Sequence, residues 1–129
     1  MAENLVASTT MNVCFNPIEL RKMAKQNWES VEWQSDPPGM KTPGNGQMQI
    51  AVGESTEGAK TVLLVDFLRG GRGLGLHGDD EAVAIFLSLL ACHMEFVYGD
   101  IVTTDWSHDI LTLEPGISYD ELQNLRRKG

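Results

Sequence analysis

Residues 61–93 read TVLLVDFLRGGRGLGLHGDDEAVAIFLSLLACH, and three changes of pattern inside this stretch decide the fold. It opens with Val62, Leu63, Leu64 and Val65, a continuous apolar run of the kind found in a strand covered on both faces. Asp66 then reads as the strand's exit toward residues 69–78, whose glycines predict a flexible loop. Next, Asp79, Asp80 and Glu81 place negative charge where a helix N-terminus favours it. From about Asp80 to His93 the chain is apolar nearly all round, with Ser88 as the clear polar interruption. A helix of that composition is buried on most of its circumference. It is the expected central helix, with a strand before it and the sheet around it.

Working back toward the N-terminus, residues 47–52 pair naturally with 61–68 as a second strand, joined by a polar turn containing Gly58. Residues 36–46 hold three prolines and several glycines and make the main irregular loop. Residues 29–34 alternate around Val31 and Trp33, as in a half-buried strand. Asn16 as cap, Pro17 at the first helical position and Glu19 three residues after the cap predict a helix over Pro17–Asn27. Its apolar stripe is Ile18, Leu20, Met23 and Ala24, with Trp28 at its end, while Arg21, Lys22 and Lys25 face water. Before it, residues 4–15 supply a strand near 11–15.

Toward the C-terminus, residues 95–97 and 100–104 read as short strands, followed by a final strand near 110–113. Ser118 and Glu121 form a capping box that opens a last helix over Tyr119–Lys128, whose final-turn bases suit the dipole. The expected architecture is one α+β domain over residues 1–129: a mixed or mainly antiparallel sheet of about five to six strands packed with two to three helices.

With 129 residues and 42% hydrophobic content, the chain can bury a core without staples. Cys14 and Cys92 both lie in apolar sequence surroundings, where a thiol behaves as a small inert hydrophobe, and reduced thiols in a cytoplasmic setting are expected. The N-terminal decapeptide carries Glu3 and lacks the basic region of a secretory signal. The longest apolar run, residues 82–98, spans only 17 residues and includes Ser88, His93 and Glu95, which argues against a membrane span.

Charge is the most informative global feature. The net charge of −8 comes from 18 acids and 10 bases, but residues 1–60 hold seven acids and five bases. Residues 73–125 hold ten acids and no Lys or Arg. Nucleic acid is held by exchanging phosphate counterions for Lys and Arg, so this half of the chain cannot track a phosphate backbone. A basic protein partner is instead steered toward it.

Several motifs invite a chemical reading. Gly73, Gly75 and Gly78 match G-x-G-x-x-G between a strand and a helix, with Asp100 downstream. Asp79, Asp80 and Glu81 occupy the place where a pyrophosphate would sit, and no Lys-Ser or Lys-Thr follows to make a P-loop, so no cofactor is expected. Ser107, His108 and Asp109 are the residue types of a hydrolase triad, but adjacent strand residues face opposite ways. His77, His93 and His108 with Asp79, Asp105 or Asp109 have metal-ligand chemistry without ligand spacing. The plainer readings are an exposed loop histidine at 77, a helix-end cation at 93 and a solvated strand residue at 108.

Residues 98–109 differ in kind. Tyr98, Asp100, Asp105, Trp106 and Asp109 interleave aromatics with carboxylates, and Tyr and Trp are frequent interface anchors. They form the expected partner-binding face of a non-catalytic acidic protein. In size and acidity the chain is similar to bacterial immunity proteins as a class, intracellular inhibitors that occlude a basic enzyme such as a nuclease toxin; no motif assigns it to one family. Two alternatives stand beside this reading: a small metal-assisted enzyme using His77, His108 and nearby carboxylates, and an oligomeric structural subunit, motivated by the apolar helix Asp80–His93.

Overall fold

The protein is described from a computed structural model, which defines residues 2–9, 15–28, 30–35, 46–52, 60–68, 72–93, 95–105 and 110–128. In chain order the elements are β1 (Ala2–Thr9), α1 (Pro17–Asn27), β2 (Ser30–Ser35), β3 (Gly46–Val52), β4 (Lys60–Leu68), β5 (Gly73–Asp79), α2 (Asp80–His93), β6 (Ile101–Asp105), β7 (Ile110–Thr112) and α3 (Tyr119–Lys128). All seven strands form one antiparallel sheet in the order β2-β3-β4-β5-β1-β6-β7. The α+β class and the three helices match the sequence reading, while the sheet has more strands than the five or six expected.

The additional strand is β5. Residues 73–78, read as part of a glycine loop, and Asp79, read as part of a helix start, pair with β4 through Leu63↔Gly78 to Leu68↔Gly73 and with β1 through Ala2↔Asp79 to Ser8↔Gly73. Leu74 and Leu76 are fully buried, so two leucines at strand spacing anchor the segment to the core. Asp66 accordingly lies within β4, opposite Gly75, and does not mark the strand's exit. The N-terminal strand is β1, whose alternation of buried Leu5 and Ala7 with exposed Val6 and Ser8 is that of a one-sided strand. The expected strand near 11–15 falls largely outside the described residues, and Phe15 itself precedes α1 without joining the sheet. Residues 95–97, expected as a strand, lead into a turn instead.

One face of the sheet carries the helices. Met48, Ile50, Leu63, Val65, Phe67, Leu74, Leu76, Leu5, Ala7 and Ile101 project from it into a single cluster with Phe86, Leu87 and Leu90 of α2, Met23 and Leu20 of α1, and Leu122 of α3. In α2, seven side chains are buried, and Ser88 is accommodated because its hydroxyl donates to the Ile85 carbonyl at 2.9 Å. Thr103, the buried polar residue among the described residues, donates its hydroxyl to the Leu111 carbonyl at 3.2 Å.

Helix ends follow the sequence signals. Asn16 Oδ1 accepts from the amides of Ile18 at 2.9 Å and Glu19 at 3.3 Å, with Pro17 opening the helix. Two surface assignments in α1 are corrected: Ile18 is 61% exposed, and Arg21 is half-buried with its guanidinium 5.2 Å from the Trp33 ring centroid. Trp33 in turn lies against Phe67, so a strand aromatic is clamped between core and helix. At α3 the Glu121 amide donates to Ser118 Oγ at 3.2 Å, and the Ser118 hydroxyl donates to Glu121 Oε1 at 3.0 Å. Ser118→Ala is therefore expected to lower stability by about 1 kcal/mol, read as a lower urea midpoint with an unchanged denaturant slope.

Candidate functional site

The best-defined candidate lies where α2 gives way to β6. The chain passes from α2 through Glu95 and Phe96 into a β-turn at Val97, Tyr98, Gly99 and Asp100. The turn is closed twice: the Asp100 amide donates to the Val97 carbonyl at 3.0 Å, and the Val97 amide donates to Asp100 Oδ2 at 3.0 Å. Gly99 has φ +97°, the left-handed value that a turn of this kind requires at its third residue. The result is a braced platform on which Val97 is 67% and Tyr98 66% exposed.

Its neighbours are set by two backbone bonds. The Leu113 amide donates to the Ile101 carbonyl at 2.9 Å, and the Gly116 amide donates to the Ala91 carbonyl at 2.9 Å. These bonds seat the turn around Glu114 and Gly116 against the last turn of α2 and the start of β6. Glu95, Asp100 and Glu114 thus share one end of the molecule with Tyr98, and the acidic first turn of α3, Asp120 and Glu121, follows directly. Neither residues 91–101 nor residues 113–121 contain Lys or Arg.

Of the five residues expected to form one face, Tyr98, Asp100 and Asp105 are among the described residues. Tyr98 and Asp100 belong to the same turn. Asp105 closes β6 at its other end, roughly 16 Å away at the rise of an extended strand, where it pairs with Leu5 of β1. Trp106 and Asp109 lie outside the described residues, as does His108. The sequence missed the apolar half of the platform, Val97, because an isolated valine beside an apolar helix reads as strand or core.

A second polar arrangement, absent from the sequence reading, crosses β3, β4 and β5 on the face without helices. Gln49 donates to Gln47 Oε1 at 3.3 Å, Gln47 donates to Asp66 Oδ1 at 2.7 Å, and His77 Nε2 lies 3.2 Å from Asp66 Oδ2. His77 is therefore a strand residue paired with a carboxylate, and the expected exposed loop histidine is corrected. The imidazole reaches Asp66 by leaning along its strand over Gly75, where an added Cβ would lie 3.1 Å from Nε2. His93 ends α2, as expected, and is exposed. Cys92 is also exposed, against the expectation of an apolar setting; Cys14 lies outside the described residues.

Among the described residues no group of three or more His, Cys, Asp or Glu side chains is placed to hold a metal. No helix of the described residues is long and apolar enough to cross a membrane. The apolar circumference of α2, which motivated a subunit role, is covered within the chain by the sheet, α1 and α3. No protein-family model matches the chain, and neither a curated protein nor a solved structure matches it.

Proposed function

We propose that this chain is a non-catalytic acidic binding protein, an intracellular inhibitor of the immunity type that occludes a basic enzyme such as a nuclease toxin. The observation that carries the proposal is the Val97–Tyr98 platform: two large apolar side chains held out in solvent on a turn closed by two hydrogen bonds, at an end built from segments with carboxylates and no Lys or Arg. Exposed aromatics ringed by charge are the anatomy of an anchored interface. The carboxylates steer a basic partner in and occupy the region where it would hold its anionic substrate, while the ring supplies burial on contact.

Affinity capture from the native cell, followed by measurement of the association rate against salt, tests this. The expected result is a basic partner whose association slows by about tenfold or more between low and physiological ionic strength. Capture of an acidic partner, or an association rate indifferent to salt, would overturn it.

A further inference from the structure

The carboxylates at the Tyr98 end divide by what they already hold. Asp100 is committed to the turn, its Oδ2 accepting from the Val97 amide at 3.0 Å. The carboxylates of Glu95 and Glu114 are exposed and, among the described residues, take part in no hydrogen bond or ion pair. By contrast, Glu19, Asp66, Asp79 and Glu121 each meet a partner within the chain. Glu95 stands just before the exposed Val97 and Tyr98, and Glu114 is brought to the same end by the Leu113–Ile101 and Gly116–Ala91 bonds. Gly99 at φ +97° and Gly116 at φ +76° occupy the two turns, and a Cβ at either would meet no described atom within 4 Å. The backbone here is bare, so a flat group can approach the ring closely.

Resting on the binding role proposed above, we infer that the group received at this end is an arginine side chain of the partner. Its guanidinium stacks on the Tyr98 ring, its methylenes lie along Val97, and its N–H groups donate to Glu95 and Glu114. Charge complementarity calls for a cation, since residues 91–101 and 113–121 contain no Lys or Arg. The exposed ring then selects which cation. An ammonium is a compact, strongly hydrated charge. A guanidinium is planar and weakly hydrated, stacks on aromatic faces and presents its donors in a fork that fits carboxylates. A purely apolar group seated on the ring would cover two carboxylates without pairing them, which costs free energy.

Titration of the intact chain with oligoarginine and oligolysine peptides of equal length tests it, read from the Val97 and Gly99 amide resonances and the Tyr98 ring resonances. Oligoarginine is expected to shift them and to bind about fivefold more tightly than oligolysine, the factor that one exposed cation–π contact supplies. Tyr98→Phe keeps the ring and retains the preference, whereas Tyr98→Ala abolishes it. Glu95→Gln and Glu114→Gln each weaken oligoarginine binding about threefold, with unchanged melting midpoints because both side chains are exposed. Glu32→Gln, an exposed carboxylate on the edge strand β2, is the control and leaves binding intact. Equal affinities for the two peptides overturn the inference, as does a preference that survives Tyr98→Ala or binding that leaves the Tyr98 resonances unmoved. These outcomes remove the arginine and not the binding role, whose own failing result is capture of an acidic partner.

Discussion

Gly78→Ala is expected to destabilise the fold by about 3 kcal/mol or more, toward the upper end of what overpacking a close contact costs. Gly78 sits opposite Leu63 in the β4–β5 ladder. A methyl group on it would press into the Val62 carbonyl oxygen and lie 2.8 Å from Leu63 Cα. Both obstacles are backbone of β4, where Leu63 is paired with β3 and β5 and Val62 is the bulged residue beside it, so Leu63 cannot give way without disturbing the sheet. The gain from a less flexible unfolded chain, about 0.4–1 kcal/mol for glycine to alanine, has the opposite sign and is too small to offset this. Gly75→Ala makes the contrast: its Cβ would meet His77 Nε2 at 3.1 Å and Asp66 Cβ at 3.5 Å, side-chain atoms able to move. That variant is expected to lose about 1 kcal/mol or less, together with the His77–Asp66 contact. Urea titration reads both, and a Gly78→Ala midpoint close to that of Gly75→Ala would contradict the close-packing account.

These glycines also show why β5 was illegible. Strand propensity is a statement about side chains fitting a pleated surface, and Gly73, Gly75 and Gly78 have none to read. Their value in this sheet is the space they leave, for the β4 backbone at 78 and for the imidazole of His77 at 75, and that space exists only once the neighbouring strands are in place. The same segment matches a phosphate-binding fingerprint because both settings use glycine for close approach. By contrast, α1 and α3 were legible to the residue, because Asn16, Pro17, Ser118 and Glu121 act within a few positions of themselves. The helix α2 was equally clear from its acidic start and apolar length. Arg21 was misplaced because its side chain is drawn in by Trp33, a residue from another element.

The candidate site divides along the same line. Exposure of Tyr98 follows from a turn whose sequence, Val97-Tyr98-Gly99-Asp100, carries its own signals in a glycine at the third position and an aspartate able to brace the first amide. Grouping Tyr98 with Asp105 relied on nearness in sequence, and a strand between them converts that nearness into separation. The acidic neighbours that do gather at Tyr98, notably Glu114, come from a segment more than a dozen residues on, delivered by the bonds from Leu113 to Ile101 and from Gly116 to Ala91.

On the proposed binding role, Tyr98→Ala is expected to cost about 2 kcal/mol or more of partner affinity, roughly thirtyfold in Kd. The side chain is 66% exposed, so its removal leaves the melting midpoint unchanged and the loss belongs to the complex. A tyrosine has few rotatable bonds to immobilise, and the turn beneath it is already braced, so little ordering is left to oppose binding. Loss of a central anchor appears in the dissociation rate. Glu114→Lys acts differently: it leaves the anchor in place, reverses a charge at the rim, and lowers the association rate with a shallower dependence on salt. Asp100→Ala does some of both, since it removes a carboxylate and releases the Val97 amide. Surface plasmon resonance against the captured partner separates the three variants. An unchanged dissociation rate for Tyr98→Ala would remove the platform from the interface while leaving electrostatic capture by the acidic end intact, since anchoring and steering are carried by different groups.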